Sequence, residues 1–213
     1  PAGRPSLRAE IAEGLRWLVA HRVLRTMAVM VAVVNLLASG GGAVMVLFAQ
    51  EVLGLDSVGF GLLLSGSAVG GVLGSLVAAR LVRLVGPGRI AVGTLAVSAL
   101  AYLGFGLSSR PWLAGAMYGL VGLLTVVFNV VFGSLRQSLT PDRLLGRVIS
   151  AFRLFSYGVV PLGSLLGGVL ARGFGLRAPF LVAGVVIPVT TLLCLPVIND
   201  RNIDQARQRA AGA

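Results

Sequence analysis

Six stretches without a single charged residue divide the sequence: Thr26–Gln50, Ser57–Ala79, Ile90–Ser109, Pro111–Leu135, Leu154–Ala171 and Ala178–Asn199. Each is 18 to 25 residues long. A helix needs about 20 predominantly apolar residues to cross the hydrocarbon core of a bilayer. Lipid offers no water to satisfy backbone N–H and C=O groups, so each stretch is expected to be a helix. The stretches are continuously apolar, which excludes the alternating pattern of a barrel strand. Val148–Phe152 extends the fifth stretch, with Arg153 as the one interruption. The sequence therefore predicts an all-α membrane protein of six transmembrane helices over 26–50, 57–79, 90–109, 111–135, 148–171 and 178–199.

Charge agrees. Only 12% of residues are charged, against about 25% in ordinary soluble domains. All 18 basic residues are arginine. With the N-terminus on one side, fourteen arginines fall in the segments on that side and three (Arg110, Arg172, Arg177) on the other. Short-loop bias of this kind sets orientation. It predicts that both termini are cytoplasmic in a bacterial inner membrane, and it accounts for the net charge of +11 without nucleic acid as a partner. Residues 1–25 hold five arginines and no short apolar core, which is unlike a signal peptide. The chain opens on Pro1 and is expected to be a piece of something longer.

Enzyme chemistry finds no footing. The single histidine, His21, lies outside the apolar stretches. No cysteine–histidine cluster could hold zinc, and without lysine no phosphate-binding loop of the G-x-x-x-x-G-K-[ST] kind can form. No cofactor and no metal are expected.

Several local signals set the remaining expectations. In 1–25, Leu7, Ile11, Leu15 and Leu18 share one helical face with Glu13 and Arg16 opposite, which predicts an amphipathic helix capped by Ser6, with Trp17 at headgroup depth or else a solvated linker. Asp56 or Ser57 is placed to cap the second span, Pro111 to open the fourth, and Thr140–Pro141 to cap and start the segment leading into the fifth. Residues 200–213 read as a cytoplasmic tail. Gly66, Gly70, Gly74 and Ala78 recur every four residues, and Gly163, Gly167 and Ala171 do the same; the two stripes match at an offset of 93. Small residues in such a stripe let a neighbouring helix approach closely. The two spans cross in opposite senses, as a 3+3 inverted repeat requires.

The segments EIAEGLRWLVAHRVLR, QEVLGLDSVGFGLLLSGSAVGGVLGSLVAARLVRLVGPGR and SLTPDRLLGRVISAFRLFSYGVVPLGSLLGGVLA resemble the C-terminal six-helix half of a major facilitator superfamily transporter, in the bacterial branch of transmembrane secretion effectors. They cover most of residues 10–171. The resemblance implies half of a twelve-helix fold, a missing N-terminal six-helix half as partner, and export of a small amphipathic molecule by alternating access. It also implies that the glycine stripes dock on that other half and that this chain is poorly stable without it. The loop after the second span departs from the family pattern: it offers Arg80, Arg83, Gly86 and Arg89 but no acidic residue. No carboxylate lies within a span, so no proton carrier is expected in this half. Asn35, about 14 Å from the cytoplasmic end, and Asn129, about 9 Å from it, are expected to face a common cavity, or else to bond neighbouring helices. Arg153 is expected to snorkel, or to meet an anion at the cytoplasmic gate, and Tyr157 to stack on cargo. Pro161 and Pro188 are expected to bend their helices. A non-transporting six-helix assembly subunit, or a half-transporter dimerising through the stripes, is the alternative.

Overall fold

The computed structural model describes residues 7–198 and 202–205. Within them the chain forms eight helices: α1 (Leu7–Ala20), α2 (Arg22–Leu47), α3 (Ser57–Val85), α4 (Pro87–Leu107), α5 (Pro111–Ser138), α6 (Asp142–Tyr157), α7 (Val160–Phe174) and α8 (Ala178–Cys194). Helix α2 runs on through a π-helical turn at Phe48–Val52. No strand occurs among the described residues. Five helical stretches are long and apolar enough to cross a membrane: α2 with its π turn, α3, α4, α5, and α6 with α7 taken together. The sixth apolar helix, α8, has 17 residues, about 26 Å at 1.5 Å per residue.

Ends of the helices follow local chemistry. The Asp56 carboxylate accepts from the Gly59 amide at 2.8 Å and caps α3, as expected. Pro111 occupies the first turn of α5, where its missing N–H costs nothing. Gly86 and Gly175 close α3 and α7 at φ of +97° and +90°, with their amides bonded to Val82 and Ala171 carbonyls. A side chain at either place would be strained.

Two expectations on helix ends are corrected. Thr140 does not cap α6. Its hydroxyl donates back to the Arg136 carbonyl at 2.8 Å and so finishes α5, while α6 starts at Asp142. The fifth span is also not one helix. It breaks at Gly158–Val159, because Pro161 has no N–H for the Tyr157 carbonyl and its ring crowds the preceding turn. Pro188, by contrast, lies inside α8 without ending it.

Helices pack in matched pairs. Helix α3 lies on α5 and α7 on α2; α4 packs on α5 and α8 on α2; α4 and α8 touch each other. The core forms two clusters. One is largely aliphatic and joins Leu24, Met27, Leu135, Leu139, Val148 and Phe152. The other holds Phe48, Phe105 and Phe180, whose ring centroids are 4.9 to 5.0 Å apart. Beside the aromatic cluster Arg177 donates to the Gly106 and Ser108 carbonyls at 2.6 and 2.8 Å. It thereby ties the start of α8 to the end of α4.

Helix α1 is neither a lone surface helix nor a solvated linker. It packs on α6. Gly14 is the contact point: a β-carbon there would come within 2.5 Å of the Arg147 carbonyl oxygen. Glu13 pairs with the Arg147 side chain. Leu18 is buried, but Leu15 is 43% exposed, so the inward face is rotated from the predicted leucine stripe. Trp17 packs against the aliphatic core. Ser6, the side chains of residues 7–11, and residues 199–201 and 206–213 of the tail lie outside the described residues. The described part of the tail folds back: Ile203 is fully buried, and the Asn202 amide donates to the Pro196 carbonyl at 2.9 Å.

Candidate functional site: an apolar cavity beside a glycine seam

The glycine stripes are packing seams, and their partners lie in this chain. On α3, a β-carbon at Gly70 would reach within 2.9 Å of the Gly119 carbonyl carbon, and one at Gly74 within 2.5 Å of the Leu123 carbonyl oxygen. Gly66 faces the Gly115 carbonyl more loosely, at 3.8 Å, and Ala78 is fully buried. On α7, Gly163 abuts the Leu36 backbone and Gly167 the Gly40 backbone, where a β-carbon would stand 2.9 and 2.6 Å from the respective carbonyl carbons. Ala171 is half-buried against the aromatic cluster. The expectation that these stripes await a second half is therefore corrected. They are filled by α5 and α2, because main chain can meet main chain where no side chain intervenes. What α3 and α7 leave exposed is the opposite kind of surface: Leu62, Val69, Leu76, Leu162, Leu165 and Val169 are all more than half exposed.

An open cavity of about 790 Å³ lies between α2, α3 and α5. Its wall is mostly apolar: Ala38, Met45, Leu64, Val72, Val121 and Val126 line it with Gly41, Gly42, Gly71 and Gly122. Polar groups are few. Ser67, Ser75 and Thr125 supply hydroxyls, and Tyr102 and Tyr118 supply phenols. The Ser75 hydroxyl is already donated to the Val72 carbonyl at 2.7 Å. At one end Phe180 joins the lining to the aromatic cluster, and Tyr118 stacks on Phe105 at 5.3 Å. No charged side chain faces this space. A site of this kind holds an apolar body by contact and orients it with one or two hydroxyls.

None of the four cavity candidates from the sequence lines this space. Asn35 donates its side-chain amide to the Ser156 carbonyl at 2.8 Å. That carbonyl belongs to the last turn of α6, next to the break, so Asn35 acts as interhelical glue there. Asn129 is exposed on α5, and the structure does not bring it to Asn35. Arg153 and Tyr157 are exposed on the last turns of α6. The residues that do line the cavity, Ser67, Tyr102, Tyr118 and Thr125, were missed. Their one signal in the sequence is the further glycines beside each seam: Gly71 next to Gly70, and Gly41–Gly42 next to Gly40. A β-carbon at Gly42 would touch nothing within 4 Å, so that glycine leaves room and not contact.

Helices long enough to span, glycine-seamed pairs and an open apolar cavity define a multi-pass membrane protein. The chain belongs to the Major Facilitator Superfamily, whose model matches residues 27–213. It is 31% identical over 217 residues to the Multidrug efflux pump Tap of Mycobacterium tuberculosis (strain ATCC 25618 / H37Rv) and to that of Mycobacterium bovis (strain BCG / Pasteur 1173P2), covering 97% of this chain and 51% of each relative. The Multidrug efflux pump Tap of Mycolicibacterium fortuitum is 30% identical over 204 residues, covering 93% of this chain and 48% of the relative. The chain thus spans about half the length of the curated relatives it matches. No solved structure matches. The family makes this a protein of the membrane-transporter class, and not an enzyme.

Proposed function

We propose that the chain is the C-terminal six-span half of an exporter that moves small amphipathic molecules out of the cell by alternating access in a bacterial inner membrane, with both termini cytoplasmic. The cavity between α2, α3 and α5 carries this reading. It is large, apolar and open, and it borders the face on which a complementary six-helix half would close. The matched pairs α3–α5 with α7–α2, and α4–α5 with α8–α2, support a 3+3 inverted repeat of α2–α4 and α5–α8, with α6 and α7 together forming one span. Domain limits follow: α1 as the cytoplasmic helix, then six spans from α2 to α8. Cargo is held by apolar contact with Met45, Leu64 and Val126 and oriented by Tyr118, Ser67 or Thr125. The partners are the bilayer, the N-terminal half and the cargo, with no nucleic acid.

Gly42 gives a clean test. It lines the cavity, and its β-carbon position is empty. Gly42→Leu should fill the space while gaining helix propensity, so the folded protein is kept. In vesicles holding the intact protein, efflux of an amphipathic dye should fall at least about tenfold, the size expected when a well-filled pocket loses a few contacts. Unchanged efflux at equal protein level would move the cargo path elsewhere.

A further inference from the structure

We infer that Arg136 and Arg153, where the end of α5 meets α6, form a binding site for one anionic group, a phosphate or a carboxylate. The Arg136 guanidinium carbon lies 4.7 Å from the centroid of the Phe152 ring, which lays it against α6 one residue from Arg153. Arg153 and Tyr157 lie one helical turn apart in the same part of α6. The Arg136 cation is thus held against the turn of α6 that carries Arg153. Among the described residues no carboxylate pairs with either arginine. Asp142, the acid of α6, is eleven residues from Arg153, about 16 Å along the helix. The Nε of Arg136 is buried and has no acceptor. An unmet charged donor out of water is unfavourable, and a guanidinium cannot relieve the cost by losing its proton.

The geometry supplies what an anion needs. Arg136 sits in the last turn of α5, where the helix dipole favours the cation. Its guanidinium carbon lies over the phenyl ring, and its N–H groups can donate to a planar or tetrahedral oxyanion. Arg153 and Tyr157 are exposed and leave the approach open. This site is separate from the cavity, and it stands whether or not the proposed cargo is right. The anion can be a free ion or the headgroup of an anionic lipid.

Thermal unfolding of the intact protein in neutral detergent separates these cases. The probes are dihexanoyl phosphatidylglycerol, dihexanoyl phosphatidylcholine as the uncharged control, and inorganic phosphate. Phosphatidylglycerol should raise the midpoint in a saturable way and phosphatidylcholine should not, since a ligand of the folded state stabilises it by mass action. A matching rise with phosphate marks a free-anion site; a rise with the lipid alone marks a headgroup site. Arg136→Gln and Arg153→Gln should each weaken the effect at least about tenfold, as the loss of a charge-assisted hydrogen bond implies. Arg153→Lys should keep part of it, and Arg80→Gln, on exposed α3, should keep all of it. If neither anion shifts the wild-type midpoint, the site does not exist, whatever the variants do. If Arg80→Gln loses as much as Arg153→Gln, diffuse positive charge explains the effect and the inference falls.

Discussion

Helix α3 runs unbroken for 29 residues along its glycine seam, whereas the span containing α7 reaches its seam only after breaking at Gly158–Val159. Both seams use the same device: glycine backbone against the backbone of a neighbour. On α3 the small residues continue for four turns, and the second glycine of the pair Gly70–Gly71 opens onto the cavity. On α7 the stripe is shorter, and the turn before it is occupied by Pro161 and by Asn35 bonding across to Ser156. A glycine stripe therefore fixes how closely two helices pack. The surroundings of the stripe differ: Gly71 opens onto the cavity beside α3, whereas Pro161 stands at the break before α7.

The sharpest way to break the comparison is to fill a seam. Gly70→Leu should cost about 3 kcal/mol or prevent folding, because the new side chain meets α5 main chain, which cannot yield as a side-chain end would. Unfolding in mixed micelles should show a loss of the same order for Gly167→Leu on α7, whose new side chain would meet the α2 backbone. Gly168→Ala, one position off the seam with nothing within 4 Å, should be neutral or gain up to about 1 kcal/mol. Equal losses at Gly167 and Gly168 would mean that α7 does not pack as described.

The break comes next. Pro161→Ala returns a donor to the Tyr157 carbonyl. Amide exchange at residues 160–162 should slow about fivefold, a gain of roughly 1 kcal/mol from one added hydrogen bond. No change there would show that Asn35, and not the proline, holds the chain open. Asn35→Ala should cost about 0.6 kcal/mol, the usual worth of an interhelical hydrogen bond in a membrane. It should leave efflux by the intact protein near normal. Lost efflux with unchanged stability would return Asn35 to the cargo path. The smallest effect is expected at the junction of α1 and α6. The Glu13 and Arg147 side chains are 48% and 30% exposed, so Glu13→Gln should cost less than about 1 kcal/mol. High salt should erase the difference between the two proteins.

Much of this architecture was legible because lipid makes one demand on every span. Uninterrupted apolar runs located the helices, Asp56 and Pro111 marked two starts, and the four-residue glycine period found the seams. The period states that something comes close but not which helix, so the seams' partners could not be read. The inward face of α1 was misread for a related reason: apolar residues on an amphipathic helix next to a membrane have two places to go. Gly14 took the contact, while Leu15 stayed 43% exposed. For Asn35 the sequence left two readings open, because a polar residue within a span is either glue or lining, and the structure shows the interhelical bond. The carbonyl it serves, that of Ser156, lies 121 positions later in the chain, in the last turn before the break. The cavity hydroxyls were invisible because serine, threonine and tyrosine scatter through every span, and only the packing selects those that face open space.

Arg177 sets a different kind of limit. One guanidinium grips the end of α4 and anchors the entry to α8, next to three interlocked phenyl rings. That corner of the molecule is stapled shut, so in the proposed alternating access the opening is expected at the far end, where α1 rests on α6, with Arg177 near its fulcrum.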